Sequence, residues 1–198
     1  MEMSGEHKIN ASKQEVWDSL NDPEVLKKAI PGCESIEKTS ETELVATVKA
    51  KVGPVSAKFS GKVTLTNINA PNSYTISGEG QGGPAGFGKG SADVSLEEDS
   101  KNSTILKFSA TAQVGGKLAQ IGTRLIDGAA KKIAGQFFEN FANILQSNND
   151  NEIESKSNTD QKGETISARN SLKITPYVWI SGLIIVIIAL ILIYSSIN

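Results

Sequence analysis

The run GPAGFGKG, Gly83 to Gly90, contains G-x-x-x-x-G-K, with Gly83, Gly88 and Lys89 placed as in a phosphate-binding loop. Just upstream, Gly78, Gly80 and Gly83 spell G-x-G-x-x-G, the spacing of a dinucleotide fingerprint. Both motifs hold phosphate on free backbone amides at the start of a helix that a strand feeds directly. Here the residues that follow, Ser91-Ala92-Asp93-Val94-Ser95-Leu96, alternate polar and apolar like a strand. The hydroxyl that would bind magnesium is also missing, since Gly90 follows Lys89. Nucleotide binding is therefore not expected.

Other reactive side chains are few. His7 lies between Glu6 and Lys8, which predicts a solvated surface position. Cys33, the one cysteine, follows a helix stop and has no histidine near it to activate a thiolate. Asp93 stands alone on the outward phase of its strand. The sequence thus offers no catalytic residue, and one His with one Cys cannot form a transition-metal cluster. A formal charge of -2 argues against a nucleic-acid partner.

The elements that position the glycines are mostly strands. Leu44, Ala46, Val48, Ala50 and Val52 alternate up to a Gly53-Pro54 turn, and Val55, Ala57, Phe59, Gly61, Val63 and Leu65 alternate back. Further strands are expected around His7, Tyr74 to Gly78, Ala92 to Leu96 and Leu106 to Val114. Asn10 or Ser12 can cap a helix through Val16, Trp17 and Leu20, and Asp22-Pro23 starts a second that stops at Pro31-Gly32. After Gly115-Gly116 a single long helix is expected, with Leu118, Ile121, Leu125, Ala129, Ile133, Phe137, Phe141 and Ile144 on one face. The order predicts an α+β fold in which a curved antiparallel sheet wraps round a long carboxy-terminal helix.

In the strand register, Gly78, Gly80 and Gly82, then Gly86, Gly88 and Gly90, fall in phase with Ile76 and Ala92 and so face inward. Glycine in a strand forfeits packing, so such a row implies that something else needs the room. Either the long helix presses close or the hairpin bends sharply, or an apolar ligand sits between sheet and helix.

The other end of the chain differs. Residues 147–176 are rich in Asn, Ser, Asp, Glu and Lys, which predicts a disordered polar linker. From Val178 to Ile193, twelve of sixteen residues are Val, Ile or Leu, favouring membrane insertion by roughly 4 to 7 kcal/mol. A transmembrane helix is therefore expected over 177–197, with Tyr177, Trp179 and Tyr194 near its ends. Lys162, Arg169 and Lys173 precede it and no basic residue follows, which predicts a tail-anchored protein in the cell membrane, its 1–146 domain cytoplasmic.

With these elements in order, Pro31-Gly32-Cys33, the turn at Val52-Gly53-Pro54 and the signature Gly82-Gly83-Pro84-Ala85-Gly86-Phe87-Gly88-Lys89-Gly90 resemble the family of the carbon monoxide dehydrogenase G subunit. The resemblance covers about residues 2 to 146. It implies a START-related helix-grip fold (the SRPBCC superfamily) and a non-enzymatic helper that recruits a molybdenum hydroxylase of the carbon monoxide dehydrogenase type to the membrane. It also implies a lipophilic ligand such as a quinone. Candidate wall residues are Ile30, Val48, Phe59, Phe87, Phe108, Ile121, Leu125 and Ile133, each of which plain core packing would also explain. Phe87 lies out of phase with its glycine neighbours, as a residue at the pocket mouth or a contact for a partner. Two other readings stand beside this one: a structural tether that carries nothing, and a helix-grip enzyme of the cyclase or hydrolase kind.

Overall fold

The computed structural model describes residues 1–157, with side-chain surroundings to residue 147. After β1 (Glu2–Ile9) come two short helices, α1 (Lys13–Ser19) and α2 (Pro23–Ala29). Ser12 caps α1: its hydroxyl accepts from the Glu15 amide at 3.3 Å, while the Glu15 carboxylate accepts from the Ser12 amide at 2.8 Å. This reciprocal pair satisfies amides that the first helical turn leaves open. Asp22 accepts from the Glu24 amide to cap α2, and Pro23 at its first position has no amide to leave unpaired.

Six further strands follow: β2 (Cys33–Lys38), β3 (Glu43–Val52), β4 (Val55–Asn69), β5 (Ser73–Gln81), β6 (Phe87–Ser100) and β7 (Ser103–Gly115). They join β1 in one antiparallel sheet of order β1-β7-β6-β5-β4-β3-β2. The predicted alternation is observed: Leu44, Ala46, Val48, Ala50 and Val52 on β3 are buried with Phe59, Val63 and Leu65 on β4. Strand β2 lacked a clear sequence signal because only Ile36 of its six residues is buried.

The expected single helix after Gly116 is two. A short α3 (Lys117–Gln120) ends at Gly122, where φ is +87°, and α4 (Thr123–Ser157) then sets off afresh. The break shifts the phase. The residues that α4 buries are Ile126, Ala130, Ala134, Phe137, Phe138, Phe141 and Leu145. Of the expected stripe, Ile121, Ala129, Ile133 and Ile144 are only half-buried and Leu125 is 53% exposed. Helix α4 also continues eleven residues into the segment read as linker, 147–157. The rest of that linker and the 177–197 apolar run lie outside the described residues. Among the described residues, no helix is long and apolar enough to cross a membrane.

Helix α4 packs most closely on α2 and β3, with Asn140 Nδ2 donating to the Ala29 carbonyl at 3.0 Å. Its inner face carries a column of rings: Phe137 stacks on Phe141 at 5.6 Å between centroids, meets Phe138 edge-on, and Phe138 stacks on Phe108 of β7 at 5.6 Å. Offset aromatic contacts of this kind add to the area they bury. Phe137→Ala should therefore lower unfolding free energy by about 3–5 kcal/mol in denaturant titration. Phe87→Ala, whose ring is 51% exposed, should change it by no more than about 0.5 kcal/mol. Equal losses would show that the column is not the main packing element.

Candidate functional site at the mouth of the sheet

Successive antiparallel strands place alternate turns at the same end. The β3–β4 turn at Gly53-Pro54, the β5–β6 turn and the end of β7 therefore share one end of the sheet, where α3 and the start of α4 also lie. The β5–β6 turn is a single 3₁₀ turn, Gly83–Ala85, closed by the Gly82 amide donating to the Gly86 carbonyl at 2.7 Å. Both nucleotide-like motifs therefore lie in a β-hairpin, and no helix begins where a phosphate would sit.

The glycines take the predicted phase: Gly80, Gly82 and Gly88 are buried, and Gly78 and Gly90 half-buried. The close neighbours are specific. A Cβ on Gly82 would fall 2.1 Å from Cε1 of Phe59, so this glycine makes room for a ring of the adjacent strand. One on Gly86, where φ is +117°, would fall 1.8 Å from the Gly115 carbonyl oxygen, and Gly116 meets Gly86 Cα in the same way. Here the β5–β6 turn docks backbone to backbone on the corner between β7 and α3. At these positions the neighbour is Phe59 or another backbone, not the long helix.

The eight candidate wall residues separate into two groups, with Phe87 apart from both. Ile30, Val48, Phe59 and Phe108 are buried, and Phe108 belongs to the ring column already described. Ile121, Leu125 and Ile133 line the flank of α3 and α4 that is left half open, and Leu125 Cδ1 would lie 3.6 Å from a Cβ on Gly53 at the β3–β4 turn. Val55 and Ala57, half-buried on the inward phase of β4, follow the same β3–β4 turn in the chain. Together they form an apolar seam between the β3–β4 hairpin and the start of α4. Phe87 points to the outer side, where twist hollows the sheet into an open trough of about 1200 Å3. Lys62, Ser77, Glu79, Lys89, Thr111 and Gln113 line that trough.

His7 is half-buried and not solvated. Its ring lies on the inward phase with Gly5 and Ile9, stacked on Phe138 at 3.7 Å between centroids and facing Phe108 at 6.3 Å. The flanking charges Glu6 and Lys8 belong to the outer phase and mislead; buried Ile9, two residues on, carried the correct signal. Burial holds the imidazole below its ordinary pKa of 6.5, so it is neutral at pH 7. Burial pushes the Cys33 thiol up, against the pull of Lys27, and the thiol donates to the Ser35 carbonyl at 3.5 Å. Asp93 is exposed and accepts from the Thr75 hydroxyl at 2.7 Å. Sequence reading missed Asp127, one turn into α4, whose Oδ1 is buried without a hydrogen-bond partner and whose charge acts on the Met1 ammonium. Among the described residues no group of three or more His, Cys, Asp or Glu is placed to hold a metal.

Comparison with known proteins bears on this geometry. The family model for the carbon monoxide dehydrogenase G subunit (CoxG) matches residues 5–146. The chain belongs to the CoxG family. A conserved protein from Geobacillus kaustophilus is 31% identical with a TM-score of 0.70, over 74% of this chain and 96% of that one. A START superfamily protein from Mycobacterium smegmatis, 13% identical, superposes with a TM-score of 0.59 over 74% of this chain and 97% of its own. The ZhuI aromatase/cyclase from a Streptomyces species, also 13% identical, superposes at 0.53 over 74% and 93%. These last two likenesses establish a START-like fold and nothing of activity. A search of curated proteins by sequence finds no match.

Gly82→Ala should destabilise the domain by about 1–3 kcal/mol through collision with Phe59. Phe59→Leu in the same chain should recover part of that loss, and strict additivity of the two changes would refute the contact. For His7, the folded pKa is depressed, so the unfolded chain takes up protons first as pH falls. Its stabilisation is present above pH 6.5 and is lost below it. Melting temperature should therefore fall more steeply between about pH 7 and 5 in the wild type than in His7→Phe, and parallel curves would mean that the ring is solvated.

Proposed function

We propose that this CoxG-family chain is a membrane-anchored accessory subunit of a carbon monoxide dehydrogenase-type molybdenum hydroxylase. It recruits the enzyme to the membrane and holds a lipophilic ligand such as a quinone, without catalysing a reaction of its own. The family match over residues 5–146 carries the reading. The apolar seam supports the ligand: Val55, Ala57, Ile121 and Ile133 are half-covered, which is the state of a wall whose remaining cover is supplied from outside. His7 and Cys33 fit no catalytic role, one being stacked on Phe138 at the end of the ring column and the other held as a thiol. The apolar 177–197 run supplies the anchor, with the folded domain on the cytoplasmic side.

Extraction of the intact protein from native membranes, followed by mass spectrometry of the bound lipids, should yield a quinone in near-stoichiometric amount. Repeated empty extracts from folded protein would favour the other reading, a tether that carries nothing. In right-side-out cells the domain should resist added protease; digestion would reverse the assigned topology.

A further inference from the structure

We infer that the mouth end of the domain docks onto an anionic phospholipid surface, with Leu125 as the inserted residue and a basic rim around it. The inference rests on the membrane-anchored reading above and adds the face that meets the bilayer. Of the three large apolar side chains exposed on the described surface, Phe87 and Leu125 lie at this end. Pro54 at the tip of the β3–β4 hairpin is exposed, next to Gly53 whose neighbour is Leu125. Single exposed apolar residues are ordinary; their meeting with unpaired cations is not.

Lys49 and Lys51 approach the hairpin tip along β3, Arg124 adjoins Leu125, and Lys131 and Lys132 follow within two turns of α4. All five are exposed, and none makes an ion pair with a described residue. The nearby carboxylates are partly answered: Asp127, half-buried on α4, and Glu2, at the start of β1, act on the Met1 ammonium. Glu34 pairs with Lys58 at 2.7 Å, and Glu79 stands opposite Lys89 in the β5–β6 ladder. At the other end of the sheet the charges are mixed: Asp99 pairs with Lys8 and Glu97 with Lys107, and Glu98 stands near Lys101 of the β6–β7 turn. Unpaired cations therefore gather where the apolar seam opens. An anionic leaflet attracts such a rim, and each basic residue near the surface strengthens adsorption about fivefold.

The chain is long enough for this pose. Leu125 lies about 48 Å along α4 from Ser157 at the helical rise per residue. Residues 158–176 span at most roughly 65 Å when extended, so the anchor can enter the bilayer while the opposite end of α4 reaches it. Docked this way, the seam opens directly onto the acyl chains. A lipophilic ligand would then pass between bilayer and domain without crossing water.

The test reconstitutes the full chain in vesicles of phosphatidylcholine alone or with phosphatidylglycerol, carrying an environment-sensitive fluorophore on Leu125→Cys in a Cys33→Ser background. Lipids with a spin label near the headgroup should quench the probe in the anionic vesicles at least about threefold more than in the neutral ones, and about 0.5 M salt should abolish the difference. A probe on Asp93→Cys should stay unquenched throughout. Arg124→Glu, Lys131→Glu and Lys132→Glu together should lower the docked population by about a hundredfold, and the salt arm decides the matter if that variant misfolds. Quenching that is absent, or equal in both lipids, would overturn the docking. Shielding of the probe by a copurifying dehydrogenase instead of lipid would overturn it as well. Flotation of the chain with neutral vesicles reports the anchor separately, so failure of the membrane reading is distinguishable from failure of the docking face.

Discussion

A sheet of seven strands offers far more inner surface than one helix can cover. At about 4.8 Å per strand the sheet is some 30 Å wide, whereas a helix with its side chains is about 10 Å across. The sheet must curl, and where curling does not close the gap, something other than α4 must fill it. The structure answers differently along its length. Towards the far end of α4 the filling is aromatic, with Phe137, Phe138 and Phe141 reaching Phe108 and the ring of His7. Towards the other end the column of stacked rings stops, and Phe59 beneath Gly82, the glycines, a short α3 and a half-open apolar flank take its place.

The glycine signature belongs to this second solution. Its members serve two local purposes, admitting Phe59 beneath Gly82 and letting two backbone corners meet at Gly86 and Gly116. The β5–β6 turn is thereby pinned against the start of α3, which fixes where the helix leaves the sheet. Gly122 then turns the chain so that α4 buries Ile126, Ala130 and Ala134, and leaves the neighbouring stripe of Ile121, Leu125, Ala129 and Ile133 as one wall of the mouth. Packing and opening come from the same few backbone positions.

Much of this was legible in the sequence. Period-two alternation marked the strands on either side of Gly53-Pro54, capping residues marked α1 and α2, and the strand after Gly90 excluded a phosphate loop. The glycine phase was also readable, because Ile76 and Ala92 flank it. What failed did so for physical reasons. Helical spacing alone could not show that Gly122 resets the phase, since the stripes through Leu125 and through Ile126 both satisfy it until the break is known. His7 was misplaced because its neighbours in sequence lie on the other face of a strand. The basic rim was invisible because it is assembled from β3 and α4, which the fold brings together only at the hairpin tip. The family resemblance survived comparison; its anchor falls on residues outside the described structure.

The proposed lipophilic ligand turns on whether the seam between the β3–β4 hairpin and α4 is its wall. Photo-crosslinking asks this most directly: the intact protein in its membrane is irradiated with a quinone bearing a photoreactive group, and the labelled peptides are sequenced. Adducts are predicted on the segments that carry Val55 and Ala57 and on residues 121–133, displaced by excess unlabelled quinone. Adducts confined to the outer trough around Lys62 and Lys89, or labelling that excess quinone does not displace, would contradict a lipophilic site in the seam.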